Sequence, residues 1–207
     1  MDCLVKVKDY IPDIRVDLKY ASEDNFTGHK IYDFTEAYLR YGTVQKLMKV
    51  QEALRKQGLS LKIWDAYRPP AAQFVFWEIC PDDTYIANPI KGFSPHSRGG
   101  AVDITLVDRT GKELEMPTEY DDFSGKAVRD YPDWTPQAAA NQRIVEQLMV
   151  DNGFVAYEGE WWHYVDTDKY EVVEETEVLK QKTRTKKLNT QVCFLQKKGT
   201  KFDKFRL

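Results

Sequence analysis

The chain is poor in histidine and cysteine, with three of each among its 207 residues. Cys3, Cys80 and Cys193 are odd in number and widely spaced, which implies no disulfide framework and predicts free thiols. His29, His96 and His163 are too few for two independent metal sites, and His29, in "NFTGHKIYDF", reads as a loop residue. A long apolar run is also missing. The opening "MDCLVKVKDYIPDIRVDL" is interrupted by charge and has no stretch of the length that a signal peptide or a membrane span needs. That absence predicts a cytoplasmic chain without a membrane span.

What is present describes a folded protein. Apolar residues make up 42% and aromatic residues 13%, enough for a substantial core in one domain. Charge is unevenly placed. From Leu179 to Leu207 there are ten Lys or Arg against the single acid Asp203, which leaves 20 basic and 32 acidic residues before it, a net of −12. The expected organisation is therefore one domain over residues 1–170 followed by a basic extension over 171–207. A basic tail is more often a solvated cover for an acidic surface than a nucleic-acid arm, so no nucleic-acid partner is expected. Within it, "VCFLQ" at 192–196 is strand-like.

Periodicity predicts alternating helices and strands. A helix is expected over 43–58, with Thr43 as N-cap, Leu47, Val50 and Leu54 on one face, and Gly58 as its stop. Residues 59–67 alternate as a strand that ends at "RPP", and a second helix follows over 70–80. Residues 100–107 alternate Val102, Ile104 and Leu106 with Ala101, Asp103 and Thr105, which reads as a strand with one polar face. A third helix is expected over 135–153, capped by Thr135, and a buried aromatic strand over 159–165. This order predicts an α+β fold with helices packed on a mainly antiparallel central sheet.

The chemistry is concentrated in three short stretches. In "SPHSRGGAVDITL" (94–106), glycines would let the turn bring His96 back toward the polar face of Asp103. A lone histidine beside glycines is more often a loop residue than a ligand. If the strand of His163 lies next to that of Asp103, however, His96, Asp103 and His163 form a His2Asp set suited to zinc with one position left open. Glu160 precedes His163 by three residues, and a carboxylate beside a metal that activates water is the general base a hydrolase needs. Residues i and i+3 of a regular strand face opposite ways, so Glu160 must sit in a bend, which Gly159 permits. Arg68, in "WDAYRPP", closes a strand and could hold an oxyanion, although a plain ion pair is the commoner role.

Together these segments resemble the zinc D-alanyl-D-alanine dipeptidases of the VanX type. The resemblance rests on Ser94, His96, Gly99, Ala101 and Asp103 in "SxHxxGxAxD", on Glu160 and His163 in "ExxH", on "DAYRP", and on "KYASEDNFTG" (19–28). It implies one Zn2+ per chain on His96, Asp103 and His163, Glu160 as base, and Arg68 steadying the transition state. It further implies Tyr20 and Ser94 as pocket residues and Asp121, with Asp122 as the neighbouring alternative, as receptor for the substrate amine. The implied reaction is cleavage of D-Ala-D-Ala into two D-alanines, with the small dipeptide as partner. Two alternatives remain at this point: a carboxypeptidase acting on longer muropeptides, and a non-catalytic zinc-binding module. Pro95, directly before His96, and the basic extension depart from the family's pattern.

Overall fold

The computed structural model describes residues 3–173. Cys193, the strand-like 192–196 segment and all but the first three residues of the basic extension lie outside the described residues. The described chain runs β1 (Leu4–Lys6), β2 (Arg15–Val16), β3 (Tyr38–Arg40), α1 (Tyr41–Lys56), β4 (Leu59–Asp65), α2 (Pro70–Ile79), β5 (Ala101–Asp108), α3 (Pro136–Asp151), β6 (Phe154–Ala156) and β7 (His163–Asp166). β1 and β3 form a small antiparallel pair, and the other five strands form one sheet in the order β2-β4-β5-β7-β6.

The fold is α+β, but its sheet is mixed rather than mainly antiparallel. β2 runs parallel to β4, whereas β4–β5, β5–β7 and β6–β7 are antiparallel. Parallel neighbours need a crossover connection, and the chain supplies one by passing through β3 and α1 between β2 and β4. Two-residue β2 carries too short a pattern to announce itself in the sequence.

Helix α1 starts two residues earlier than expected, and Thr43 is not its cap. Arg40 holds that position without its side chain capping the helix, while the buried Thr43 donates its hydroxyl to Asp166 at 2.6 Å. Thr135 does cap α3, accepting from the Ala138 amide at 3.1 Å. Leu47, Val50 and Leu54 of α1, Val145 and Met149 of α3, and Leu61, Ile63, Val102, Ile104 and Leu106 of the sheet share one core. Burying such side chains contributes roughly 1.5–3 kcal/mol each. The opposite face of β5, expected to be polar, is buried as well, with Asp103 and Thr105 both withdrawn from solvent. Cys3 and Cys80 are free thiols.

Strand register places the chemistry. On one side of β5, Asp103 lies opposite His163 of β7, and in an antiparallel pair opposed side chains share a face. On the other side, β4 bulges between Ile63 and Asp65, so that Asp65 comes to lie opposite Asp103. A bulge re-aims the side chains that follow it, and Arg68 follows three residues later.

Candidate active site

His96 sits in a short 3-10 turn, Pro95–Arg98, that Pro95 starts and Gly99 ends in the left-handed conformation, φ 72°. Pro95 thus fits as the first residue of the turn, a position where a missing N–H costs nothing. Gly99 cannot be replaced without strain, because a Cβ there would also lie 2.5 Å from Leu4 Cδ2. The turn carries the imidazole inward, where Nδ1 donates to the Ala66 carbonyl at 2.7 Å. That bond fixes the tautomer and leaves the lone pair on Nε2.

Nε2 of His96 lies 3.1 Å from His163 Nδ1 and 3.3 Å from Asp103 Oδ1, and His163 Nδ1 lies 2.8 Å from the same oxygen. One ligand atom from each of the three residues falls within 4.8 Å of the others, so His96, Asp103 and His163 form a group that could hold a metal ion. Burial works against an ionised Asp103, yet the two imidazoles more than offset it and keep the carboxyl well below the usual carboxylate range. Residue spacing named no partner for the second oxygen of Asp103. Tyr120 supplies one, donating to Oδ2 at 2.8 Å; burial raises the Tyr120 phenol well above its ordinary value, so it stays a donor. Nothing in "MPTEYDDF" distinguishes this tyrosine from any loop aromatic.

Glu160 occupies the turn between β6 and β7, in the bend its spacing required; the strand expected over 159–165 begins only at His163. Its Oε2 lies 3.9 Å from His163 Nδ1. Burial pushes its carboxyl up to about 7, with the nearby carboxylates of Asp103 and Asp121 adding to the shift and His163 opposing it. A carboxyl poised near neutrality can both take and return a proton.

Arg68 is partly buried, and its immediate partner is the fully buried Asp65, reached from Nε at 2.9 Å and Nη2 at 2.7 Å. Nη2 also lies 3.9 Å from Asp103 Oδ2, and the guanidinium covers the rings of Tyr20 and Phe76 at 5.4 and 5.0 Å. Asp65 is itself fixed by the Tyr32 hydroxyl at 2.9 Å. The ion pair and the cavity position are therefore both real for Arg68.

Asp121, not Asp122, turns inward. Tyr20 donates to both of its oxygens, at 3.2 and 3.0 Å, whereas Asp122 accepts from the Ser124 amide in a local turn. Asp121 holds a left-handed φ of 56°, unusual for a residue other than glycine and a local cost of about 1 kcal/mol. Burial pushes its carboxyl up to about 7, against the Tyr20 hydrogen bond, which lowers it. Ser94 is buried in the wall, its hydroxyl accepting from the His96 amide at 3.3 Å. All eight residues named from the sequence, Tyr20, Arg68, Ser94, His96, Asp103, Asp121, Glu160 and His163, line one cavity of about 250 Å³. Trp162 belongs to its wall, Trp161 to the core behind it, and His29 lies exposed in a loop.

Two imidazoles and a carboxylate beside a partly buried glutamic acid and a guanidinium, in a cavity sized for a small molecule, define the class: a candidate metal-dependent hydrolase. Comparison with known families narrows it. Residues 2–183 match the peptidase M15 family, described as D-ala-D-ala dipeptidase, and the chain belongs to that family. It is similar to the D-alanyl-D-alanine dipeptidase of Escherichia coli strain K12, 37% identical over 161 residues that cover 78% of this chain and 83% of that one. It is also similar to those of Enterococcus faecium, 34% identical over 75% of this chain and 87% of the other, and Enterococcus faecalis strain V583, 33% identical over 73% and 85%.

Proposed function

We propose that this protein hydrolyses the free dipeptide D-Ala-D-Ala to two D-alanines, using one zinc ion held by His96, Asp103 and His163. The donor set of two nitrogens and one carboxylate oxygen suits zinc, and the His96 Nδ1 bond to Ala66, which leaves Nε2 bare, is the arrangement expected of a metal-binding imidazole. Bound zinc would supply Lewis-acid chemistry, polarising the scissile carbonyl and lowering the pKa of water toward roughly 7.

The side chains divide the remaining work. Asp121, oriented by Tyr20, receives the substrate ammonium, which a buried carboxylate binds far better than a solvated one. Arg68, locked by Asp65 and with donors to spare, offers N–H groups to the carbonyl oxygen as negative charge develops on it. Glu160 takes a proton from the attacking water and delivers it to the leaving nitrogen; burial keeps its carboxyl near neutrality for both transfers. Ser94 and Trp162 complete the walls.

The observation that carries the dipeptide reading is Asp121, a partly buried carboxyl that lines the cavity and is held there by Tyr20, where it can meet a free amine. A carboxypeptidase acting on longer chains would have a peptide bond at that position and no use for the charge. The cytoplasmic location is part of the proposal; among the described residues no helix is long and apolar enough to cross a membrane. The test is release of D-alanine from D-Ala-D-Ala by zinc-reconstituted protein, with L-Ala-L-Ala and N-acetyl-D-Ala-D-Ala alongside. Cleavage of the free D,D-dipeptide alone is expected. Equal cleavage of the acetylated peptide would move the assignment to a carboxypeptidase.

A further inference from the structure

We infer that Arg129 is a positioning residue for the turn that presents Glu160 and His163 to the cavity. The turn is closed by its own backbone: Tyr157 N–H donates to the His163 carbonyl at 3.1 Å, Glu160 N–H to Tyr157 at 3.4 Å, and His163 N–H to Glu160 at 3.2 Å. Each of those three carbonyls has a second lone pair, and the guanidinium of Arg129 takes all three. Nε donates to Tyr157 O at 2.7 Å, and Nη2 to Glu160 O and His163 O at 3.1 Å each.

The remaining donors anchor Arg129 from the other side. Nη1 reaches Glu146 Oε2 of α3 at 2.7 Å and the Tyr164 hydroxyl at 3.3 Å, and the guanidinium lies 4.7 Å from the centre of the Tyr164 ring. The backbone on either side joins in, because Arg129 N–H donates to Glu158 O and Trp161 N–H to Ala127 O, both at 3.0 Å. Arg129 is buried and does not line the cavity. A planar fork with five N–H donors can bridge three carbonyls at fixed angles; an ammonium on a flexible stem cannot.

Two of the three carbonyls it holds belong to the candidate base and to one candidate ligand, so the inference rests on the functional reading above. The amine and oxyanion groups, Asp121, Tyr20 and Arg68, lie on other segments and do not touch Arg129. Loosening the turn should therefore impair proton transfer and metal affinity while leaving dipeptide binding alone.

The test is Arg129→Lys in the full chain, with Glu146→Ala as a milder second variant should the first fail to fold. Expected for Arg129→Lys is a kcat lowered about 10- to 100-fold with KM within about twofold of wild type. Zinc affinity of the metal-stripped protein should weaken about tenfold or more. Amide hydrogen exchange should rise in residues 157–163 and not in β4 or α1. Glu146→Ala should move all three readouts the same way by a few-fold. A folded Arg129→Lys with unchanged kcat, zinc affinity and exchange would overturn the inference, as would a raised KM at constant kcat. If Arg129→Lys does not fold, a folded Glu146→Ala with no change in any readout overturns it. Zinc affinity and hydrogen exchange do not depend on Glu160 being the base. Full activity in Glu160→Gln would therefore sink that reading while leaving Arg129 to be judged on these two measurements.

Discussion

Replacing Asp121 by asparagine in a Glu160→Gln background isolates the amine site from the chemistry. The carboxyl of Asp121 is pushed up to about 7 by burial, so in the free protein it is only partly ionised near neutrality, and binding an ammonium must drive it fully to the carboxylate. Below that value, each pH unit therefore costs dipeptide affinity about tenfold, or ~1.4 kcal/mol. Between about pH 7.5 and 5 the Kd for D-Ala-D-Ala should rise, by up to roughly a hundredfold, in the zinc-loaded single variant. The charge of the bound metal would move this limb to lower pH without removing it. In the double variant the limb should vanish. A lost charge-assisted contact of ~2–4 kcal/mol should also leave Kd about 30- to 1,000-fold weaker at about pH 7.5. Titration calorimetry across the pH range measures both. Equal affinities in the two proteins at the upper pH, or a limb that persists in the double variant, would refute Asp121 as the amine receptor.

Three further outcomes are expected. Glu160→Gln should retain zinc but lose turnover by about 100- to 10,000-fold, because the amide matches the shape but takes no proton; near wild-type D-alanine release would remove Glu160 from the base role. His163→Ala should lose both zinc, by metal analysis, and activity, whereas His29→Ala, altered in an exposed loop, should lose neither. In metal-free protein the stability should fall as pH rises. Both Asp121 and Glu160 have folded values near 7, above their ordinary ones, so between about pH 4 and 7 the unfolded chain releases protons that the folded chain keeps. Denaturant unfolding at about pH 5 and 8 should therefore show Asp121→Asn gaining stability over the parent at the higher pH, and an equal difference at both pH values would count against the burial argument.

Several features of the site could be read from residue types and spacing alone. The glycine-rich approach to Asp103 and the "ExxH" spacing named the candidate ligands and base, and the parity of a strand required a bend at Glu160, which is where the turn lies. α2, β4 and α3 also followed from local pattern, because proline, glycine and a capping threonine act on their immediate neighbours. The start of α1 did not, since Thr43 satisfies its hydroxyl with Asp166, 123 residues away.

Residue types and their order set the inventory: which side chains exist, which sit on one strand or turn, and which chemistry they can perform. Local backbone preferences and side-chain pKa ranges are enough for that. Long-range packing made β2 join the sheet in parallel and let a bulge set Asp65 opposite Asp103. It also chose Asp121 over Asp122 to face the cavity, gave the second oxygen of Asp103 to Tyr120, and aimed Arg129 at three carbonyls of the Glu160 turn. These depend on register and burial between segments far apart in the chain, where a shift of one residue reverses which side of a strand is buried, and no local pattern carries that information.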